Sequence, residues 1–205
     1  MALYKEVSYL VEDLASSTNS ISPARKDVLA SISAYIAQQG KDGKYADLVY
    51  ICTHNSRRSH FGQVWAQVMA THFDHKHVRA FSGGTEATAF HPNAIQALVS
   101  LGFKIQPLVP GHNAHYEVYY GLGISPVDAF SKKYNDSANP GAGFCAIMTC
   151  TEADGNCPFI PGAQLRVATP YEDPKAFDNT PKQDDAYLQR CRQIAAEIYY
   201  MFSLV

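Results

Sequence analysis

Hydrophobic positions along the 205-residue chain change their period several times, and each change marks an element. In "SPARKDVLASISAYIAQQG", Val28, Leu29, Ile32, Tyr35 and Ile36 fall at the spacing of one buried helix face. Ser22 can cap that helix, Pro23 suits its first turn and Gly40 its end. The pattern breaks at "GKDGK" and resumes as "ADLVYIC", a nearly continuous apolar run of the kind that fills a parallel sheet. Helical spacing returns in Phe61, Val64, Trp65, Val68 and Met69. A second strand, "HVRAFSGG", ends in glycines, and "HPNAIQALVSLGF" is the next helix. "GFCAIMTC" and "AQLRVAT" read as two further strands. The last helix, in "DDAYLQRCRQIAAEIYYMF", keeps Tyr187, Cys191, Ile194, Ala195, Ile198 and Phe202 on one face. Strands alternating with helices predict a three-layer α/β/α domain around a mainly parallel, four-stranded sheet.

Residues 1–43 read as an N-terminal helical extension and 44–205 as the α/β domain. An insert at about 104–142 interrupts the alternation. It is too aromatic for a disordered linker and too broken by Pro and Gly for a regular element. An ordered loop is expected there, either a lid or pocket wall or a packing surface.

Composition narrows the function. Apolar residues make up 46% and charged residues 18%, ordinary for a globular domain. A net charge of −2 lacks the basic face of a nucleic-acid binder. No apolar run approaches the ~18 residues that span a bilayer. Lys5, Glu6, Glu12 and Asp13 interrupt the apolar positions of the first residues, unlike a secretory signal. The cysteines, Cys52, Cys145, Cys150, Cys157 and Cys191, are odd in number. That suits a reducing cytoplasm better than a disulfide scaffold, so a cytoplasmic location is expected. His72, His75 and His77 lack zinc-site spacing, and no metal site is assigned.

The chemistry concentrates in "CTHNSRRS", residues 52–59, between a strand and a helix. A strand, a tight loop and a helix N-terminus together cradle an anion, because consecutive N–H groups point inward and the helix dipole adds positive potential. Arg58, in the first helical turn, can grip two oxyanion oxygens with its planar fork. The same field favours thiolate over thiol at Cys52. Ser59 can donate its hydroxyl to the sulfur, and Asn55 can fix the loop through side-chain to backbone bonds. Thr53, His54, Asn55, Ser56, Arg57 and Arg58 are therefore the candidate oxyanion-binding residues.

"CTHNSRRS" resembles the signature loop of the low-molecular-weight protein tyrosine phosphatase superfamily, in which Cys-x5-Arg-Ser binds phosphate or arsenate. His54 stands where that family commonly has glycine, and Arg57 where many members carry a second cysteine. "MTCTEADGNCPFIPGAQ" resembles the stretch of thioredoxin-coupled arsenate reductases that bears their two additional redox cysteines, in the Cys150 to Cys157 spacing and in Pro158. "YEDPKAF" sets Asp173 before Pro174, as in the loop that supplies the superfamily's general acid. Tyrosine phosphatases typically follow with tyrosines; Lys175 and Ala176 follow here. Some members hold a potassium ion near the loop, but Gln63 stands where an acidic ligand would be expected. The resemblance covers roughly residues 47–103 and 143–203, leaving out the extension and the insert.

The resemblance implies an arsenate reductase. Cys52 attacks arsenate held by loop amides and Arg58 while Asp173 protonates the departing oxygen. Cys150 then attacks the adduct, releasing arsenite, and Cys157 resolves the Cys52–Cys150 disulfide to Cys150–Cys157, which thioredoxin reduces. No bound cofactor is required, and Cys145 and Cys191 are read as structural. Two alternatives stand beside this reading. One is a phosphomonoesterase using Cys52, Arg58 and Asp173 alone; the other is a non-catalytic oxyanion-binding regulator.

Overall fold

The structure, a computed structural model, describes residues 2–157 and 159–205; Pro158 of the redox-cysteine match lies outside them. In chain order the elements are β1 (Ala2–Leu3), α1 (Lys5–Ser17), α2 (Pro23–Lys41), β2 (Ala46–Cys52), α3 (Arg58–His72), β3 (Val78–Gly84) and α4 (Pro92–Ser100). There follow β4 (Lys104–Val109), β5 (His115–Tyr119), β6 (Gly121–Leu122), β7 (Val127–Ala129), β8 (Phe144–Met148), α5 (Thr151–Asn156), β9 (Ala163–Ala168) and α6 (Gln183–Phe202). The central sheet runs β3-β2-β8-β9 with every pair parallel. β2 is buried throughout, as its unbroken apolar run requires.

The two faces of that sheet are covered unequally. Leu48 and Tyr50 of β2 join the large core built with α1 to α4 and α6. Val49, Ile51 and Cys52 join a small cluster with Phe144, Met148, Cys150, Ala153 and Ile160. The second layer is therefore thin, made by α5, the chain after it and Tyr134 of the insert. Adjacent residues of one strand point to opposite faces, so Leu48 and Tyr50 go to one cluster and Val49 and Ile51 to the other, with Cys52 at the strand's end joining the smaller one.

The N-terminal extension is two helices rather than the single one expected. Ser22 caps α2 by accepting from Arg25 N, with Pro23 in its first turn. α1 precedes it, and Val7, Leu10, Val11 and Leu14 are buried in the main core. The insert also differs from expectation. It contains a three-stranded antiparallel sheet, β4-β5-β7, while β6 pairs with β1. The Pro and Gly residues lie largely at its turns and strand ends, which is why regular strands escaped the periodicity. After β7 the chain returns to the parallel sheet, where Gly84 bridges Lys133.

Candidate active site

In a parallel sheet all C-terminal ends lie on one edge, and here that edge gathers the chemistry. β2 ends in Cys52, β8 is followed by Cys150, and the chain leaving β9 reaches Asp173. Between Cys52 and α3 the loop turns its carbonyls outward. Cys52 O accepts from Thr85 N at 3.2 Å, Thr53 O from Glu86 N at 2.8 Å, Ser56 O from His91 N at 3.0 Å and Arg57 O from Phe61 N at 3.1 Å. His54 O accepts from Thr88 Oγ1 and Ser131 Oγ, and Asn55 O lies 3.0 Å from His60 Nε2. Among the described residues, none of the amides of 53–57 donates to a protein acceptor. α3 likewise begins without a side-chain cap. A ring of open N–H groups at a helix N-terminus is an anion cradle.

Two residues make the tight loop possible. Asn55 adopts φ +45°, a left-handed turn that asparagine tolerates better than most. Gly84 passes so close that a Cβ there would lie 2.7 Å from Thr53 O and 2.8 Å from Asn55 N. Only glycine leaves that space.

The sulfur has a hydrogen-bond donor of its own. Ser59 Oγ lies 3.1 Å from Cys52 Sγ, and Asn55 Nδ2 donates to the same hydroxyl at 2.8 Å. With the amide filling its acceptor side, the hydroxyl proton is free for the sulfur. Asn55 Oδ1 in turn accepts from Lys132 N at 2.8 Å, so the insert holds the loop. His60 beneath it is fully buried, and burial, helped by the Lys132 charge, pushes its pKa down to about 3. The imidazole is neutral there.

Arg58 reaches Tyr171 O at 2.8 Å and Asp173 Oδ2 at 2.6 Å, while its buried Nε has no partner. A guanidinium N–H without a protein partner keeps one donor to offer an oxyanion. Asp173 also caps the 3₁₀ turn Pro174–Phe177, accepting from Lys175 N at 3.0 Å. Its carboxylate thus sits both against Arg58 and at the head of its own loop. That loop is braced from behind: Tyr171 donates to Glu197 of α6 at 2.7 Å, and Arg25 of α2 pairs with Glu197 at 3.1 Å and donates to Pro170 O. The extension therefore helps to position Asp173.

The remaining loop side chains divide. The Arg57 guanidinium, expected at the oxyanion, turns instead to α6 and its approach. Its Nε donates to Tyr187 Oη at 2.7 Å and lies 3.9 Å from Asp173 Oδ1, and its Nη2 pairs with Asp178 at 3.5 Å. Tyr187 Oη donates to Asp178 as well. His54 stands on the exposed rim, 3.7 Å from Glu86. Ser56 Oγ donates to Ala89 O. Gln63 donates to Asp128 O at 3.1 Å and accepts from Ser82 at 2.7 Å. Among the described residues no cluster of three His, Cys, Asp or Glu could hold a metal.

Cys150 lies beside the loop. Its Sγ is 3.4 Å from Thr53 Oγ1 and accepts from Ala153 N as the N-cap of α5. Burial pushes its thiol pKa up, and those two contacts work the other way. Cys157, partly exposed, follows the last residue of α5 and packs against the same small apolar cluster as Cys52 and Cys150. The spacer "TEADGN" is helical, with Glu152 and Asp154 in its first turn complementing the dipole. Arg166 clamps that helix through Asp154 O, the Asp154 carboxylate and Cys157 O. Cys145 and Cys191 are wholly buried, the latter accepting from Trp65 Nε1.

No protein-family model matches the chain. Among curated proteins it is similar to an arsenate reductase from Bacillus licheniformis, 25% identical over 157 residues, covering 73% of this chain and 89% of the relative. A Bacillus subtilis arsenate reductase is 23% identical over 146 residues, covering 71% and 86%. Among solved structures, a low-molecular-weight phosphotyrosine phosphatase from Vibrio cholerae O395 superposes with a TM-score of 0.50 at 12% identity, covering 77% of this chain and 95% of that one. In sequence the chain is similar to these arsenate reductases, and in fold it is similar to the low-molecular-weight phosphotyrosine phosphatase.

Proposed function

We propose that the protein is an arsenate reductase working through a disulfide cascade. The observation that carries the reading is Cys150 in contact with the oxyanion loop, its Sγ 3.4 Å from Thr53 Oγ1. A phosphatase needs Cys52, Arg58 and Asp173 and has no use for a second thiol at that place.

Arsenate enters the amide cradle and displaces Asp173 from Arg58, whose fork turns to two of its oxygens. The Cys52 thiolate forms a bond to arsenic, and one oxygen leaves as water after taking a proton from Asp173. Cys150 then attacks the Cys52 sulfur. The new S–S bond forms as the S–As bond breaks, its electron pair staying on arsenic, so As(V) departs as arsenite. Cys157 attacks Cys150, returning the Cys52 thiolate and leaving Cys150–Cys157, which a dithiol protein such as thioredoxin reduces. None of these steps requires a bound cofactor.

The last exchange asks α5 to move. Cys150 and Cys157 flank a six-residue helix, and seven residues at 1.5 Å each separate them by about 10 Å, against about 4.4–6.8 Å between the Cα atoms of a disulfide. α5 must unwind, and Arg166 must release it.

A phosphomonoesterase is the second reading, because the same loop and Asp173 suffice for it. Asp173, present and in contact with Arg58, weighs against the non-catalytic alternative. Purified protein given arsenate, thioredoxin, its reductase and NADPH, beside an aryl phosphate, separates the readings. Arsenate-dependent NADPH consumption supports the reductase; phosphate release without it assigns the protein to the phosphatases.

A further inference from the structure

Lys132 is the least expected charge in the molecule. It lies in the insert and is 4% exposed, yet among the described residues no carboxylate lies within ion-pair distance of it. Its Nζ has one hydrogen bond, 3.4 Å to Phe130 O, and sits 4.2 Å from the centre of the Phe130 ring. An ammonium has three protons to place, and a buried one with a single long bond costs stability. A methionine would fill the same space without that cost.

The backbone that carries this charge is bonded directly to the oxyanion loop. Lys132 N donates to Asn55 Oδ1, Lys132 O accepts from Gly84 N at 2.9 Å, and the adjacent Ser131 donates to His54 O. Its charge also reaches His60, which contacts Asn55 O. We propose that Lys132 is a positioning residue of the oxyanion site, its ammonium acting as a fixed positive charge behind the loop that strengthens binding of a dianion in the amide cradle. This rests on the oxyanion reading of the loop.

The groups facing the ammonium set its range. Burial brings its pKa down to about 8, while Asp128 of β7 and Asp136, later in the insert, raise it again. His60, from α3, is neutral. Asp74, His75, Lys76 and Arg79 line the same groove, a space of about 810 Å³ between α3, β3 and the insert. The proton is present below about pH 8 and lost as pH rises through it, so the contribution to anion binding fades on the alkaline side.

Calorimetric titration with inorganic phosphate from pH 6.5 to 9.5 tests this in the full-length wild type, Lys132→Met and Lys132→Arg. Phosphate's own ionisation is common to all three and cancels in their ratios. Near pH 7 Lys132→Met should bind about tenfold more weakly, the order expected of one partly screened charge, and should melt at a higher temperature. The wild-type advantage should vanish above about pH 8, whereas that of Lys132→Arg should persist. Should the arginine not fit, Lys132→Gly supplies the second arm: n-butylammonium entering through the groove should restore binding, and n-butanol should not. Equal phosphate affinity of wild type and Lys132→Met near pH 7, or a ratio independent of pH, overturns the proposal and leaves the oxyanion reading intact. A wild type that binds no phosphate at all overturns both.

Discussion

The oxyanion loop and the redox segment lie on the same edge of one sheet and are built in opposite ways. Every carbonyl from Cys52 to Arg57 has a hydrogen-bond partner, and Asn55, Ser59 and His60 are wholly buried. The segment from Cys150 to Ile160 rests on a six-residue helix, one clamping arginine and a thin apolar cluster, with Phe159 75% exposed. The first region holds its dipoles where charge will arrive, which is how preorganised sites stabilise transition states. The second has few contacts to lose, as a segment that must unfold locally should. One half of the chemistry asks for rigidity and the other for motion, and the sheet edge supplies both within a few residues.

Substitutions can break this contrast by degrees. The largest effect should come from Cys52→Ser, which removes the nucleophile shared by both reactions. Arsenate reduction and aryl-phosphate hydrolysis should each fall by on the order of 10⁴–10⁶-fold in steady-state assays. Asp173→Asn should slow both by on the order of 10²–10⁴-fold, since the leaving oxygen loses its proton donor. An unchanged kcat with both substrates would assign the acid elsewhere. Ser59→Ala removes the hydroxyl from the sulfur and should cost roughly 10–100-fold in alkylation rate and turnover, the worth of one hydrogen bond to a charged group. The smallest effect sharpens the comparison most. Arg166→Gln loosens only α5, so hydrogen exchange of residues 151–157 should rise several-fold while aryl-phosphate hydrolysis stays within about twofold. Equal losses in both would show that the two regions are not separable.

Much of this was legible in the chain. The unbroken apolar run of β2, the polar loop and the helical spacing from Phe61 onward fix the cradle without tertiary information. α1 carried an equally readable signal, Val7, Leu10, Val11 and Leu14 at helical intervals with Lys5, Glu6, Glu12 and Asp13 on the other face. What periodicity could not supply was the destination of long side chains. Arg57 reads as an oxyanion ligand by position, but it pairs with Tyr187, 130 residues away in sequence. Arg25, in the first turn of α2 where the helix dipole disfavours a cation, finds its partners in Glu197, Pro170 O and the Tyr171 ring. Lys132 reads as one of two ordinary lysines in a loop, because burial is a tertiary property. The helix at 151–156 was hidden by its own composition: Gly155 and Asn156 spell a turn, and the helix ends there.

The central claim is that Cys150 and Cys157 act in sequence upon the sulfur of Cys52, and trapping the intermediate tests it most directly. Cys157→Ser, given one equivalent of arsenate in the absence of reductant, should release one arsenite and stall. Non-reducing peptide mapping by mass spectrometry should then find Cys52 joined to Cys150, while aryl-phosphate hydrolysis by the same variant before arsenate treatment matches the wild type. Free Cys52 and Cys150 after exposure to arsenate, or full thioredoxin-linked turnover without Cys157, would contradict the cascade.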